Sequence, residues 1–274
     1  MIKTSKTLKA RLNFFALNVF ITLTKKAKMK ILFSPSESKN ENCTKNPIDE
    51  NSFIFKELFP YRMEALKHYG EFIKNASLKN LQELFGIKNE NEIDKFKHNL
   101  KQAPTQEAIL LYTGVSYEYL NFKALDKKSQ AYILENTLIF SNLFGVVRAN
   151  DTLPFYKFKQ GAKIGNFAIE KFYKEHFSKA LDEYLENKEI LDLRAGFYDK
   201  FYTPKKKFYT YKFVKNGKVI SHFAKAYRGI LLSISAKNQI KNNKELLANL
   251  PSNLKLKEIQ IKGLKEEIVL EILD

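Results

Sequence analysis

Tryptophan is missing from this 274-residue chain, and cysteine occurs once, at Cys43. A single cysteine excludes an internal disulfide and fits a reducing compartment. Cys43 lies in a polar stretch, Asn40 to Asn51, where no neighbouring feature would lower a thiol pKa. Glycine (10) and proline (7) are scarce, which excludes a collagen-like or low-complexity chain. The mostly apolar run Leu12–Leu23 is broken by Asn13 and Asn18 and falls short of the roughly 20 residues a spanning helix needs, so no membrane partner is expected. There is no glycine-rich phosphate loop and no nucleophile elbow. His68, His98, His176 and His222 stand apart without metal-ligand spacing. Neither a metal nor a cofactor is expected.

What is present is an apolar fraction of 44%, enough for a sizeable core, and a net charge of +17. A charge of that size speaks to partners rather than to fold. Residues 1–28 carry seven basic groups and no acid. They read as a dispensable basic leader or a mis-assigned start, because Met29 opens a fresh strand-like pattern and Lys25, Lys26 and Lys28 replace the small residues of a cleavage site. Subtracting those seven charges from +17 leaves +10 on 29–274, so the basic character does not depend on the leader.

Periodicity predicts strands over 30–34, 138–141 and 189–193, and helices over 56–75, 77–86, 90–101 and 167–187. Short helices are expected around Ala108–Tyr112, Tyr117–Phe122 and Lys127–Glu135. Residues 142–161 read as a loop rich in special residues. Phe208–Val214 and Val219–Phe223 read as a hairpin turning at Asn216-Gly217. Helices over 225–240 and 243–250 follow, then strands near 255–261 and 267–273. Without repeats or a linker in 52–274, the expected fold is α+β. It would be a single intertwined domain over 29–274, a mixed sheet with surrounding helices and a basic cleft.

Lys200 to Lys244 holds twelve cations and no Asp or Glu. Lys205, Lys206, Lys207, Lys225 and Arg228 are among them, interleaved with aromatic residues. Cations neutralise phosphates and release counterions, and rings can stack on unpaired bases. Strand alternation puts Phe208 opposite Tyr209, Tyr211 and Phe213, so at least half of these rings belong to a core. Five duplex phosphate contacts imply an affinity slope of about 4.5 per decade of salt.

A second constellation gathers polar residues at predicted strand ends: Ser34, Glu37 and Lys39; Arg148; Asp192, Arg194 and Tyr198; Lys225 and Arg228. Loops at strand ends commonly build one cleft. Glu37 with Lys39 could perform acid–base work, and Arg148 and Arg228 could hold a phosphate or carboxylate. The bland alternative is caps, turn formers and ordinary ion pairs, above all for Asp192 beside Arg194.

These segments also resemble one family. Phe33-Ser34-Pro35-Ser36-Glu37-Ser38-Lys39 is similar to the N-terminal Pro-Ser-Glu-Gly-Lys signature in one branch of the YaaA peroxide stress family. Leu111-Tyr112-Thr113-Gly114-Val115 with Tyr117 resembles its Tyr-x-Gly segment. Phe140–Arg148, followed by Pro154, Tyr156 and Gly161, resembles its Ser-Gly-Leu-Tyr-Gly-Val-Leu-Arg-Pro block. Asp192–Tyr198 resembles Asp-Leu-Arg-Ser-Gly-x-Tyr, and Ser221–Gly229 resembles Lys-x-x-Arg-Gly. Asn142, Ala149 and Ser233 depart from the usual Gly, Pro and Arg. The resemblance implies a cytoplasmic protein of the oxidative stress response to hydrogen peroxide, linked to limiting free intracellular iron. It also implies an unusual α+β fold with a positively charged cleft and an association with DNA.

The leading expectation is therefore binding of duplex or branched DNA, mostly through phosphates, by Lys39, Arg148, Lys157, Lys205, Lys206, Lys207, Lys225 and Arg228. The alternative is an enzyme acting on a nucleotide or modified base, with Ser34, Glu37, Asp192, Arg194 and Tyr198 as cleft groups and phosphate anchored by Arg148, Lys225 and Arg228. A third reading is an interaction protein whose basic surface binds an acidic partner.

Overall fold

Strand β1 (Met29–Phe33) is buried at every position, as is β3 (Thr137–Ser141). β6 (Glu189–Leu193) is buried after its first residue. Runs without polar alternation suit strands covered on both faces. In the computed structural model, which describes residues 29–273, they form the centre of a mixed eight-stranded sheet. Its order is β4-β3-β1-β6-β7-β10-β9, where β4 is Gly145–Arg148, β7 Phe208–Lys215, β9 Leu254–Lys262 and β10 Lys265–Ile272. The five strands β3, β1, β6, β7 and β10 run parallel, and β4 and β9 close the edges antiparallel. A separate two-stranded sheet joins β2 (Thr105–Glu107) to β5 (Thr152–Pro154). The protein is α+β, and readings for residues 1–28 lie outside the described residues.

The helices are α1 (Phe59–Asn75), α2 (Leu78–Phe85), α3 (Ala108–Leu111), α4 (Val115–Leu120), α5 (Lys127–Asn136), α6 (Ile169–Leu185), α7 (Ser221–Lys237) and α8 (Asn243–Ala248). In α6 the buried residues Ile169, Tyr173, Phe177, Leu181 and Leu185 recur every four positions, one stripe against the sheet. Asp126 caps α5 by accepting from the Lys128 and Ser129 amides. Arg62 of α1 is wholly buried. It donates to the carbonyls of Phe144 and Val146, and its guanidinium lies 4.4 Å from the Phe53 ring, so one cation fastens α1 to the β3–β4 hairpin.

Three predicted elements differ. Residues 90–101 form two single 3₁₀ turns, Glu90–Glu92 and Asp94–Phe96, rather than a helix, because only Ile93, Phe96 and Leu100 have a core to face. The loop predicted over 142–161 contains β4 and β5, whose short length hid their period. The second hairpin strand stops at β8 (Lys218–Val219), and the chain enters α7 by Ser221. The turn itself is as expected: Asn216 and Gly217 both have positive φ, 51° and 74°.

The feature that positions the site is a split in the sheet. β6 pairs with β7 only through Leu191–Tyr209 and Asp192–Thr210. β7 then continues to Lys215, with β8 on that same strand at Val214 and Lys215. The sheet therefore opens beyond the carboxyl end of β6, and α7 lies beside the opening. Where α7 crosses α4, Gly229 allows contact at backbone distance: a Cβ there would stand 2.1 Å from the Ser116 carbonyl oxygen. Gly229→Ala should lower stability by about 1–3 kcal/mol or more, read as a fall in thermal midpoint. Gly70→Ala in α1, where a Cβ meets nothing within 4 Å, should be neutral or raise stability by up to about 1 kcal/mol.

Candidate functional site

The carboxyl ends of β1 and β6, the Gly114–Tyr117 segment and α7 surround a cavity of about 430 Å³. Ser34 to Ser38 form one wall. Ser34 Oγ accepts from the Ala195 amide at 2.8 Å, and Tyr117 donates to the Ser34 carbonyl at 2.9 Å. The loops after β1 and β6 are thus tied together. Glu37 accepts from the Gln160 amide at 3.1 Å. Lys225 and Arg228, one turn apart on α7, form the opposite wall.

A second cavity, about 710 Å³, lies in the split between β6 and β7. Lys225 and Arg228 line this one too, so the two spaces meet at the same two cations. Its other walls include Phe208, Thr210, Lys212, Ile220, Ala224 and Leu264. Its carboxylates are largely engaged. Asp192 holds Arg194 through two bonds of 2.9 and 2.7 Å, and Glu267 lies 2.9 Å from Lys262 and 3.5 Å from Lys265. By contrast, no hydrogen bond or ion pair engages the side chains of Lys212, Lys225 or Arg228 among the described residues. Burial lowers the Arg228 pKa, opposed by the Asp192 charge.

The remaining predicted residues separate into groups. Arg194 is consumed by structure: besides Asp192 it donates to the carbonyls of Tyr198 and Tyr202 at 3.2 and 3.0 Å, and its guanidinium lies 4.3 Å from the Phe140 ring. Arg148 is not brought to Lys225 and Arg228. It sits on edge strand β4 opposite Leu138, towards the start of β3, 3.4 Å from Asp151. Lys205 pairs with Asp182 at 2.9 Å and Lys207 with Glu266 at 2.6 Å. Lys206 donates to the Glu186 and Lys188 carbonyls at 2.6 and 2.8 Å, stopping the end of α6. The basic run therefore does not act as one surface. Its rings are mostly core: Phe208, Tyr211 and Phe213 are buried, and Phe213 stacks on Tyr227 with centroids 4.9 Å apart.

Lys39 lies behind the Ser34–Ser38 loop. The residue is half-buried, but its ammonium is enclosed. It donates to the Ser36 carbonyl at 3.1 Å and sits 4.1 Å from the Tyr156 ring centroid. The Tyr156 hydroxyl is in turn shared with Tyr112 and Ser141, each at 2.8 Å. Spacing alone did not single out this trio, because its members lie 15 to 44 positions apart and read as ordinary core or cap residues. Desolvation, then the charge of half-buried Lys157, pulls the Lys39 pKa down to about 7, while Glu37 opposes the shift. Of the described tyrosines, Tyr198 is the one whose hydroxyl enters the smaller cavity without a partner. It is 3% exposed and makes no side-chain hydrogen bond. No cluster of three His, Cys, Asp or Glu side chains that could hold a metal occurs among the described residues, nor does any helix long and apolar enough to cross a membrane.

A lysine whose folded pKa lies below its unfolded value loses its proton first in the native state. From this group alone, stability should therefore rise with pH between about 7 and 10.5. Side-chain NMR of Lys39 should give a midpoint near 7. Lys157→Met should raise that midpoint and Glu37→Gln should lower it. An unmoved midpoint in both variants would contradict the electrostatic account.

Over most of its length the chain is similar to bacterial proteins of one family. A Campylobacter jejuni chain described as an uncharacterized protein is 97% identical over 246 residues, 90% of this chain and all of the relative. A UPF0246 protein of Corynebacterium glutamicum is 30% identical over 215 residues, 76% of this chain and 85% of its own length. A UPF0246 protein of Francisella tularensis subsp. novicida is 27% identical over 230 residues, 78% and 89% of the two chains. The family profile described as Peroxide stress protein YaaA matches residues 29–259, a stretch that contains Lys225, Arg228 and the whole lining of the smaller cavity, and the chain belongs to that family.

Proposed function

We propose that this peroxide stress protein holds DNA by its phosphates at the opening between β6, β7 and α7, in the cytoplasm. One observation carries the reading: Lys225 and Arg228 stand together, without an ion-pair partner among the described residues, where two cavities meet, while five of the other six predicted cations are held by acids or carbonyls. Keeping the partly buried Arg228 guanidinium without a bonded counterion is unfavourable, and a phosphate held between it and the exposed Lys225 would relieve that cost through charge-assisted bonds. Lys212 adds a third cation on the same side. The contacts are to the backbone of the nucleic acid, so sequence preference is weak.

The rival enzyme reading draws support from the convergence of Ser34, Glu37, Tyr198 and Arg228 on one concave space. It is weakened because Ser34 and Glu37 already serve the loops and Asp192 and Arg194 serve each other. The phosphate anchor in either reading is Lys225 with Arg228, without Arg148.

Three free cations in place of five reduce the expected salt dependence. The logarithm of duplex affinity should fall by about 2.7 per decade of salt, on the order of 40-fold between about 50 and 200 mM. Changing Lys225 and Arg228 together to Ala should weaken the mobility shift at low salt and reduce the slope by about 1.8. Unaltered binding by that double variant would remove this site as the DNA contact.

The link to free iron enters this proposal from the family resemblance, and its test is cellular. Cells lacking the protein should hold more iron detectable by electron paramagnetic resonance during peroxide exposure. The wild-type gene should restore the lower level, whereas the Lys225/Arg228 double variant should not. Equal iron with and without the protein would dissociate it from iron control.

A further inference from the structure

We propose that the two cavities together form a site for one nucleoside monophosphate unit with an unpaired base. The phosphate would sit in the smaller cavity between Tyr198 and the Lys225 and Arg228 side chains, the sugar where the two cavities meet, and the base in the split of the sheet. The proposal rests on the preceding reading in one respect, that Lys225 and Arg228 hold phosphate.

Three observations lead here. The spaces are about 430 and 710 Å³, each within the roughly 300–1,000 Å³ of small-molecule sites. A smooth duplex surface would need neither. Their linings also differ in kind. The smaller is rich in hydroxyls, with Ser34, Ser36, Ser116, Tyr117 and Tyr198. The larger has an apolar and aromatic wall, Phe208, Ile220, Ala224 and Leu264, with the Thr210 hydroxyl among them. A phosphate matches the hydroxyl-lined space beside Lys225 and Arg228 and a planar base matches the second, and the sugar that links them would lie where the two spaces meet. Finally, Tyr198 is a largely buried residue that lines the smaller cavity, and its hydroxyl makes no hydrogen bond among the described residues. That hydroxyl is free to donate to a ligand hydroxyl or phosphate oxygen in the cavity. The Tyr198 proton is held firmly, since desolvation, Tyr156 and the Glu37 charge all raise its pKa; it therefore serves as a hydrogen-bond donor rather than as an anion.

The same unit can come from two sources: a free nucleotide, or a nucleotide left unstacked in a damaged or mismatched strand. Titration calorimetry of the full chain with AMP, ribose 5-phosphate and inorganic phosphate addresses the site itself. AMP should bind about tenfold more tightly than ribose 5-phosphate, and ribose 5-phosphate more tightly than phosphate. Tyr198→Phe removes only the unpartnered hydroxyl and should melt like the parent chain. It should lose on the order of 5- to 10-fold in affinity for AMP, the effect of one hydrogen bond. Ala224→Phe, which fills the larger cavity, should bring AMP down to the affinity of ribose 5-phosphate.

A duplex carrying 2-aminopurine opposite an abasic site separates the sources. Increased fluorescence on binding identifies the unpaired nucleotide of a strand, and unchanged fluorescence alongside tight AMP binding identifies the free nucleotide. AMP binding no better than inorganic phosphate, together with unchanged fluorescence, would overturn the proposal even if the duplex mobility shift persisted. Tight AMP binding without any mobility shift would instead leave the nucleotide site standing and remove the DNA reading.

Discussion

The buried pair between Asp192 and Arg194 is the interaction on which the site depends. Both side chains are almost wholly out of water. Arg194 spends its donors on the Asp192 carboxylate and on two carbonyls, those of Tyr198 and Tyr202, and lies 3.5 Å from a second carboxylate, Asp199. Removing either partner of such a pair leaves a charge uncompensated in a poorly polarisable interior, which typically costs about 3–5 kcal/mol. The pair stands where β6 stops and where β7 is about to lose it as a neighbour. It fixes the turn into the 3₁₀ helix Gly196–Lys200 and so determines where Tyr198 points. The opening in the sheet is therefore held by a rigid charged corner. Loop residues that sequence patterning groups together as chemistry divide here into those that hold the corner and those that face the space beside it.

The same division explains the cations. A charge run in sequence gives no information about counterions, because the neutralising acids come from other segments: Asp182 from α6 for Lys205, Glu266 from β10 for Lys207. Surface pairs of this kind contribute little stability, yet each one reduces the positive field outside. Lys225 and Arg228 escape because the acid nearest Arg228, Asp192, is committed to Arg194. The buried ion pair consequently leaves α7's cations free as well as shaping the cavity beside them.

The parts of the architecture legible in sequence are those with strong local signals. The apolar runs of β1 and β6, the four-residue stripe of α6 and the Asn216-Gly217 turn each encode themselves within a few residues. β4 and β5 did not, since three or four residues show no period, and their pairing is decided by partners elsewhere in the chain. In the site, the convergence of the Ser34–Ser38 loop with Lys225 and Arg228 followed from the strand-end pattern. The position of Arg148 did not, because Arg148 lies on an antiparallel edge strand whose end points away from the parallel strands' carboxyl ends. The Ser141, Tyr112 and Tyr156 trio beneath Lys39 is a tertiary fact, visible only once three separate segments are packed.

Lys39 and Arg228 show how one fold uses two kinds of cation. Lys39 is enclosed by carbonyls and two tyrosine rings, and desolvation brings it close to losing its proton near neutral pH. Arg228 is also pushed by burial, but a guanidinium keeps its charge through shifts that would neutralise an amine. The proposed phosphate contact, which must remain positive in a partly dry setting, would therefore be served by arginine at 228, with Lys225 exposed to solvent beside it. The lysine under the β1 loop is free to serve that loop, its charge responding to whatever approaches Glu37 and Lys157. The loop and helix walls of the smaller cavity thus carry a titrating and a permanent cation respectively. A phosphate bound between them would favour the protonated form of Lys39 and couple occupancy of the cavity to the order of its front wall.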